Sequence, residues 1–432
     1  MIDHEEKRQN HLLTSRRDFL KSSALLAGLP FLPSPFAGTA NASEAETGQV
    51  AKSVIGIYGP WADGLRGDPA KLSFRRKEWS DPDTWRKKAR AKALELIASP
   101  DIGALPEVTV EKQYRFDGLD IEELSWQLPY GYRTQAVLLK PAGATGPLPG
   151  ILGLHDHGGN KYFGKRKITR TSARMHPMMV EHQNKYYQGR AWANEIARRG
   201  YVVLVHDTFT FASRRVLFKD MSAIPWGQAS TKGLSDDNPE EIDNIKAYNA
   251  WAAAHEHIMA KSLFCAGTTW PGVFLAEDRM ALSILGNRND VNAERLGCAG
   301  LSGGGLRTVY LAGLDERIKC AVCVGFMSTW SDFLLNKSYT HTWMTYAPLL
   351  PNYLEFPEIL GLRTPLPTMV LNDIDDQLYT LPEMKQADAI LQQVFDKAGA
   401  PEHYKANFYP GPHKFDAQMQ KDAFDWFDKW LK

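Results

Sequence analysis

Gly300-Leu301-Ser302-Gly303-Gly304 sets a serine among glycines in the pattern G-x-S-x-G. An apolar, strand-like run, Arg295-Leu296-Gly297-Cys298-Ala299, leads into it, and a helical run from Leu306 to Leu314 follows. A serine at such a junction sits in a sharp turn that only small neighbours tolerate. It also faces the amino end of the next helix, where the dipole and free N–H groups favour developing negative charge. This is the setting for attack on an acyl carbon. A serine hydroxyl is a weak nucleophile without a base. Downstream, His413 stands in Tyr409-Pro410-Gly411-Pro412-His413-Lys414-Phe415, between the last strand-like run and a closing helix. Three carboxylates, Asp373, Asp375 and Asp376, follow the apolar run Pro367 to Leu371.

Two rival chemistries are set aside. Cys320-Ala321-Val322-Cys323 is a C-x-x-C, which invites a redox or zinc reading. It lies in the strand-like run Ile318 to Val324, where residues three apart point to opposite faces, so the two sulfurs are expected to be buried and separate. His155-Asp156-His157 offers two imidazoles on one face if the strand before it continues, but no third ligand is evident, and no metal site is expected. The formal charge of +1, from 51 Lys plus Arg and 50 Asp plus Glu, gives no reason to expect a nucleic-acid partner.

The elements that must position these residues follow an α/β rhythm. Continuously apolar strands are read at Gly150 to Leu154, Tyr201 to Val205, Arg295 to Ala299, Ile318 to Val324, Pro367 to Leu371 and His403 to Tyr409. Helices are read at Trp192 to Arg199, Phe274 to Leu285 and Asp422 to Leu431. Such strands separated by helices imply a mostly parallel sheet covered on both faces. Before it come an amphipathic helix, Pro82 to Ala98, and alternating strands at Val108 to Tyr114 and Thr134 to Leu139. The stretch from about Asp207 to Ser262 is too long for a simple loop. It reads as a cap-like insertion over the carboxyl edge of the sheet, where loops frame a site, and is expected to shape substrate choice through residues such as Trp226 and Trp251. Trp226, Trp251, Trp270, Trp330 and Trp343 are divided between cleft and core, with core packing favoured for each.

From about Val108 onward, the H-D-H-G-G loop, the G-L-S-G-G-G turn with Asn292 to Gly297 before it, and the P-H-K-F end resemble the α/β-hydrolase superfamily. The likeness is closer to its dienelactone-hydrolase-like and acetyl-xylan-esterase-like branch. The resemblance implies a central mostly parallel sheet flanked by helices and ester hydrolysis with no cofactor. It implies Ser302 as nucleophile, His413 as base and a preceding carboxylate as acid. The family's usual Asp, any residue, aliphatic pattern favours Asp376, with Leu378 after it, over Asp375. The other carboxylates are then solvated or capping groups. It further implies an oxyanion hole from the N–H of Gly303 and from the glycines of the His155 loop, Gly159 and Gly158. Ser302 stands where true dienelactone hydrolases carry cysteine, so dienelactone is not the expected substrate. Small-molecule or carbohydrate esters are. A peptidase or amidase would use the same triad, and a non-catalytic binding protein on the same scaffold is the third alternative.

Ser15-Arg16-Arg17-Asp18-Phe19-Leu20-Lys21 resembles the twin-arginine export signal. A short apolar run, Ala24 to Leu32, and a small-x-small site at Ala40-Asn41-Ala42 follow in the expected order. The expected organisation is a signal over 1–42, a linker and helical extension over 43–107, and a hydrolase domain over 108–432. The partner is then the twin-arginine machinery and the location periplasmic or secreted, with no membrane anchor after cleavage. Replacing Arg16 and Arg17 with lysine is expected to stop export. Terminal sequencing of the exported protein is expected to begin at Ser43, and an intact Met1 would refute the assignment.

Overall fold

A computed structural model describes residues 52–432, so the proposed signal at 1–42 lies outside the described residues. Nine strands form one sheet: β1 (Thr109–Phe116), β2 (Leu119–Trp126), β3 (Thr134–Pro141), β4 (Leu148–Gly153), β5 (Val202–His206), β6 (Val291–Leu301), β7 (Ile318–Val324), β8 (Thr368–Asp373) and β9 (Tyr404–Tyr409). Their spatial order is β1-β2-β3-β5-β4-β6-β7-β8-β9. The first three strands pair antiparallel, and β3 joins β5 in the same way. From β5 to β9 every pairing is parallel. The helices are α1 (Gly59–Gly64), α2 (Pro82–Ile97), α3 (Pro177–Tyr187), α4 (Trp192–Arg198), α5 (Ile242–Cys265), α6 (Trp270–Gly286), α7 (Gly303–Leu314), α8 (Trp330–Leu335), α9 (Phe356–Gly361), α10 (Leu381–Lys397) and α11 (Ala417–Leu431).

The core lies on both faces of the sheet. Val202 and Leu204 belong to one apolar layer, with α6 and α7; Val203 and Val205 belong to the other, with α4 and α11. That is why β5 is apolar from Val202 to Val205. Cys320 and Cys323 divide in the same way, one to each layer, and both are buried free thiols. Burial pushes both thiols up, which makes them inert.

Three details add to the expected elements. Strand β2, paired on both sides, is not read from sequence because Asp120, Glu122 and Glu123 interrupt its apolar residues. Glu122 is nonetheless buried, held by Arg288 at 2.9 and 3.1 Å. The helical extension expected within 43–107 holds, before α2, a 3₁₀ turn at Gly56–Tyr58 and the short α1. The insertion's second half is α5, a 24-residue helix that runs past Ser262 to Cys265. It builds a small apolar cluster of its own, with Tyr248 and Trp251 against Tyr162 and Phe163.

The helical extension shares the main core. Proline at its first position and Asp81, which accepts from Thr84 N at 2.8 Å, start α2. Trp85, Ala89, Ala93 and Ile97 recur at helical spacing and are fully buried. The Trp85 ring stacks on Phe74 at 4.4 Å, and its N–H donates to Leu72 O at 2.7 Å. Trp85→Ala is therefore expected to cost about 3–5 kcal/mol, the range for removing a buried aromatic. Urea unfolding measures this, and an unchanged midpoint would mean the extension does not support the core.

Candidate active site

The sheet delivers its chemistry at the carboxyl ends of β4, β6 and β8 and in the loop after β9. Ser302 lies between β6 and α7 with φ +58° and ψ −119°, a conformation that L-residues seldom adopt. The glycines around it explain how the chain tolerates this. A Cβ on Gly304 would collide with the Leu154 carbonyl, and one on Gly305 would come within 2.5 Å of Val324 O. The close passage of β4, β7 and the turn thus forbids side chains at these positions.

Asp376 and His413 meet across two loops. Gly411 N donates to Asp375 at 2.9 Å, and Ile374 N donates to Tyr409 O at 2.8 Å, which ties the loop after β8 to the loop after β9. His413 Nδ1 donates to Asp376 Oδ2 at 2.6 Å, and Asp376 also accepts from Leu378 N at 2.9 Å. His413 Nε2 is buried and has no hydrogen-bond partner among the described residues. Gly325 makes room for this ring, because a Cβ there would lie 2.9 Å from His413 Cε1. Asp375 thus caps the turn at Gly411.

Of the two expected roles, solvated or capping, Asp373 takes only the second. It is fully buried, accepts from Lys414 N at 3.0 Å, and has ligand atoms within 4.8 Å of those of Asp376 and His413. Burial raises its carboxyl to about 7, and the neighbouring Asp376 adds to the rise.

Ser302 and His413 line one cavity of about 290 Å³ with His157, Gly158, Gly159 and Gly303. Leu301, Leu306, Phe326, Met344 and Leu378 supply apolar walls, and Thr340, Thr342 and Thr345 supply hydroxyls. His341 is half-buried beside them and donates to Leu378 O at 3.0 Å; desolvation lowers its pKa to about 4, so it is a neutral ring. No residue of the 207–262 segment lines this cavity, so the expected influence of that segment on substrate choice has no direct contact with the cavity to act through. Trp226 is 81% exposed, while Trp251, Trp270 and Trp330 are core. The wall comes instead from residues 340–345, an irregular stretch with no motif to mark it.

The oxyanion expectation also changes. Gly303 opens α7, so its N–H has no intrahelical partner. Gly159 N, however, donates to His157 Nδ1 at 3.1 Å. The backbone nitrogen beside Gly303 is that of His157: a Cβ on Gly303 would lie 2.9 Å from it. Among the described residues no backbone acceptor takes that N–H. The two imidazoles of the H-D-H sequence keep separate partners, since β4 ends at Gly153: His155 with Asp156 O at 3.1 Å, His157 with Glu256 at 2.8 Å.

No protein-family model matches this chain. A protein of Bacillus subtilis (strain 168), YtaP, carrying a provisional hydrolase name, is 24% identical over 350 residues, 80% of this chain and all of that one. A structure from Bacteroides fragilis NCTC 9343, provisionally named an acetyl xylan esterase, superposes with a TM-score of 0.60 at 17% identity, covering 85% of this chain and 84% of the other. The glucuronoyl esterase from Solibacter usitatus gives 0.54 at 14% identity, covering 83% and 97%. The chain has the α/β-hydrolase fold. No described helix is long and apolar enough to cross a membrane.

Asp373 gives a pH-dependent expectation. An acid whose folded pKa is raised favours folding fully below its unfolded value, here 3.8, and loses that contribution as pH rises through about 7. Asp373→Asn imitates the protonated acid. It is expected to stabilise the protein at pH 8.5 by on the order of 1–4 kcal/mol, with the gain shrinking toward pH 4. Thermal melts across pH check this, and an equal shift at every pH would rule out titration of Asp373 as the cause.

Proposed function

We propose that this protein is an exported serine esterase that cleaves carboxylic esters of small acyl groups or sugars through an acyl-enzyme. The observation that carries the reading is the Asp376–His413 pair at 2.6 Å, with His413 Nε2 unpartnered in the cavity that Ser302 enters from its positive-φ turn. His413 Nε2 takes the Ser302 proton as Oγ attacks the ester carbonyl. The N–H groups of Gly303 and His157 receive the oxyanion. Collapse expels the alcohol, which takes the proton from His413, and water then repeats the cycle on the acyl-enzyme. Asp376 holds Nδ1–H and stabilises the imidazolium. These steps need no metal or cofactor.

The esterase names of the structural neighbours support ester over amide substrates, and the small cavity with three threonine hydroxyls suits a short acyl group beside a polar alcohol. Export rests on Arg16-Arg17 and the segment after it.

Ser302→Ala is expected to fold, because Ala fits the turn at least as well as Ser, and to lose turnover of p-nitrophenyl acetate and labelling by a fluorophosphonate. Losses of several orders of magnitude are usual, with about 10³–10⁴-fold catalysis over water remaining. His413→Ala is expected to cost as much, and the double change little more. Asp376→Asn should cost less than either and far more than Asp375→Asn. A Ser302→Ala protein with wild-type turnover would refute the serine mechanism. A p-nitroanilide cleaved as fast as the ester would favour an amidase.

A further inference from the structure

Glu256 is buried on α5, 99 residues from His157, and does not line the cavity. One of its oxygens accepts from His157 Nε2 at 2.8 Å and from Lys161 Nζ at 2.8 Å. Lys161 is itself buried and lies over the Trp270 ring at 4.6 Å. The other nitrogen of His157 accepts from Gly159 N at 3.1 Å. An imidazole that accepts at Nδ1 must carry its proton on Nε2, so Glu256 fixes the tautomer as well as the ring. Burial pushes His157 down, which keeps the ring neutral despite the carboxylate beside it. Burial alone would raise Glu256, but the His157 hydrogen bond and the Lys161 charge outweigh it and hold the carboxyl at about 2. The carboxylate is therefore charged throughout the working range.

The backbone that this ring belongs to is soft. Gly158 and Gly159 both have positive φ, +51° and +65°, and no strand pairs the loop. Lys167 anchors the carbonyl side, donating to Asp156 O and His157 O at 2.8 Å each. Asp156 is held in turn by Tyr187 at 2.5 Å and His182 at 3.1 Å. These contacts fix where the loop lies. The Asp156 carbonyl shares a peptide plane with the His157 N–H, so the Lys167 bond sets the line of that N–H; the His157 side chain, gripped by Glu256 and closed back onto Gly159, adds the restraint that holds the residue against rotation from the other side.

We infer that Glu256, carried by the inserted helix, is a positioning residue that aims the His157 N–H at the developing oxyanion. The inference rests on the serine-esterase reading above. The insertion then serves catalysis from behind the loop, although it supplies no wall to the cavity. An oxyanion donor acts on charge that appears only in the transition state, so its misplacement lowers kcat and spares KM.

The test compares Glu256→Gln, Glu256→Ala and Glu256→Met in the mature chain, with p-nitrophenyl acetate as substrate. Gln keeps an oxygen to accept from His157 Nε2; Ala and Met do not, and Met fills the space if Ala does not fold. All three remove the charge opposite Lys161, so all three are expected to lower Tm. Only Ala and Met are expected to lower kcat, by about 10–100-fold, below the 10²–10³-fold cost of losing an oxyanion donor outright. KM is expected to stay within about threefold, and Gln to keep kcat within about threefold of wild type. A kcat that follows Tm across all three variants, a loss that falls on KM, or Ala and Met at wild-type kcat would overturn the inference. Ser302→Ala is run alongside. If it stays active, the serine reading fails; if it is inactive while the Glu256 variants match wild type, the positioning inference alone fails.

Discussion

At Ser302 the chain must leave a parallel strand and enter a helix within one residue, and only a positive φ achieves this. The cost of that conformation is met by packing. Gly300, Gly304 and Gly305 let the turn press against the carbonyls of Leu154 and Val324, at distances no side chain would permit. Those carbonyls belong to the β4 end and to β7, so the turn, the His155 loop and the strand before Gly325 are locked into one geometry. Gly325 in turn admits His413. A single steric constraint therefore sets the spacing between the serine, the loop that offers N–H groups and the imidazole.

A second set of forces holds the loops that the sheet itself does not control. The residues around the cavity are supported by charges taken out of water: Asp156 with Lys167, Glu256 with Lys161, Asp207 with Lys165, and Asp278 with Arg307. Arg307 also reaches toward His155 O at 3.5 Å from α7, linking the helix after Ser302 to the loop opposite. Buried pairs of this kind seldom add net stability over well-packed apolar residues. Their advantage is direction. A hydrophobic contact holds a loop at a distance, whereas a charge-assisted hydrogen bond also fixes its rotation.

Much of this was legible in the sequence, for local reasons. The apolar runs Val202 to Val205, Cys320 to Val324 and Met369 to Leu371 announce themselves because both of their faces are buried. The G-x-S-x-G turn is legible because its glycines answer a steric demand within five residues. Asp376 is separable from Asp375 by its place in a short turn, and the structure gives Asp375 to Gly411 N and Asp376 to His413. What was not legible depends on distant contacts. Nothing near Glu256 in sequence distinguishes it from the other acidic residues of a polar segment; its partner is 99 residues away. The burial of Asp373 shows only once the loop after β9 closes over it. Strand β2 is hidden because it is paired on both edges yet carries the acidic residues of a surface strand.

The two histidines of the site show how the same side chain is turned to opposite ends. His413 has its carboxylate on Nδ1, which leaves Nε2 free and facing the cavity. His157 has its carboxylate on Nε2, and Nδ1 closes onto the chain's own Gly159 N–H, so neither ring nitrogen is left for substrate. The first arrangement leaves one nitrogen open to accept a proton; the second commits both, one to Glu256 and one to the Gly159 N–H. Burial enforces the difference, because a neutral imidazole with one donor and one acceptor can satisfy both partners of His157 only in the tautomer that Glu256 selects. A carboxylate placed against the far nitrogen of a histidine thus turns a potential base into a strut, which joins the Lys167 and Asn160 bonds in restraining the glycine-rich loop beside the serine.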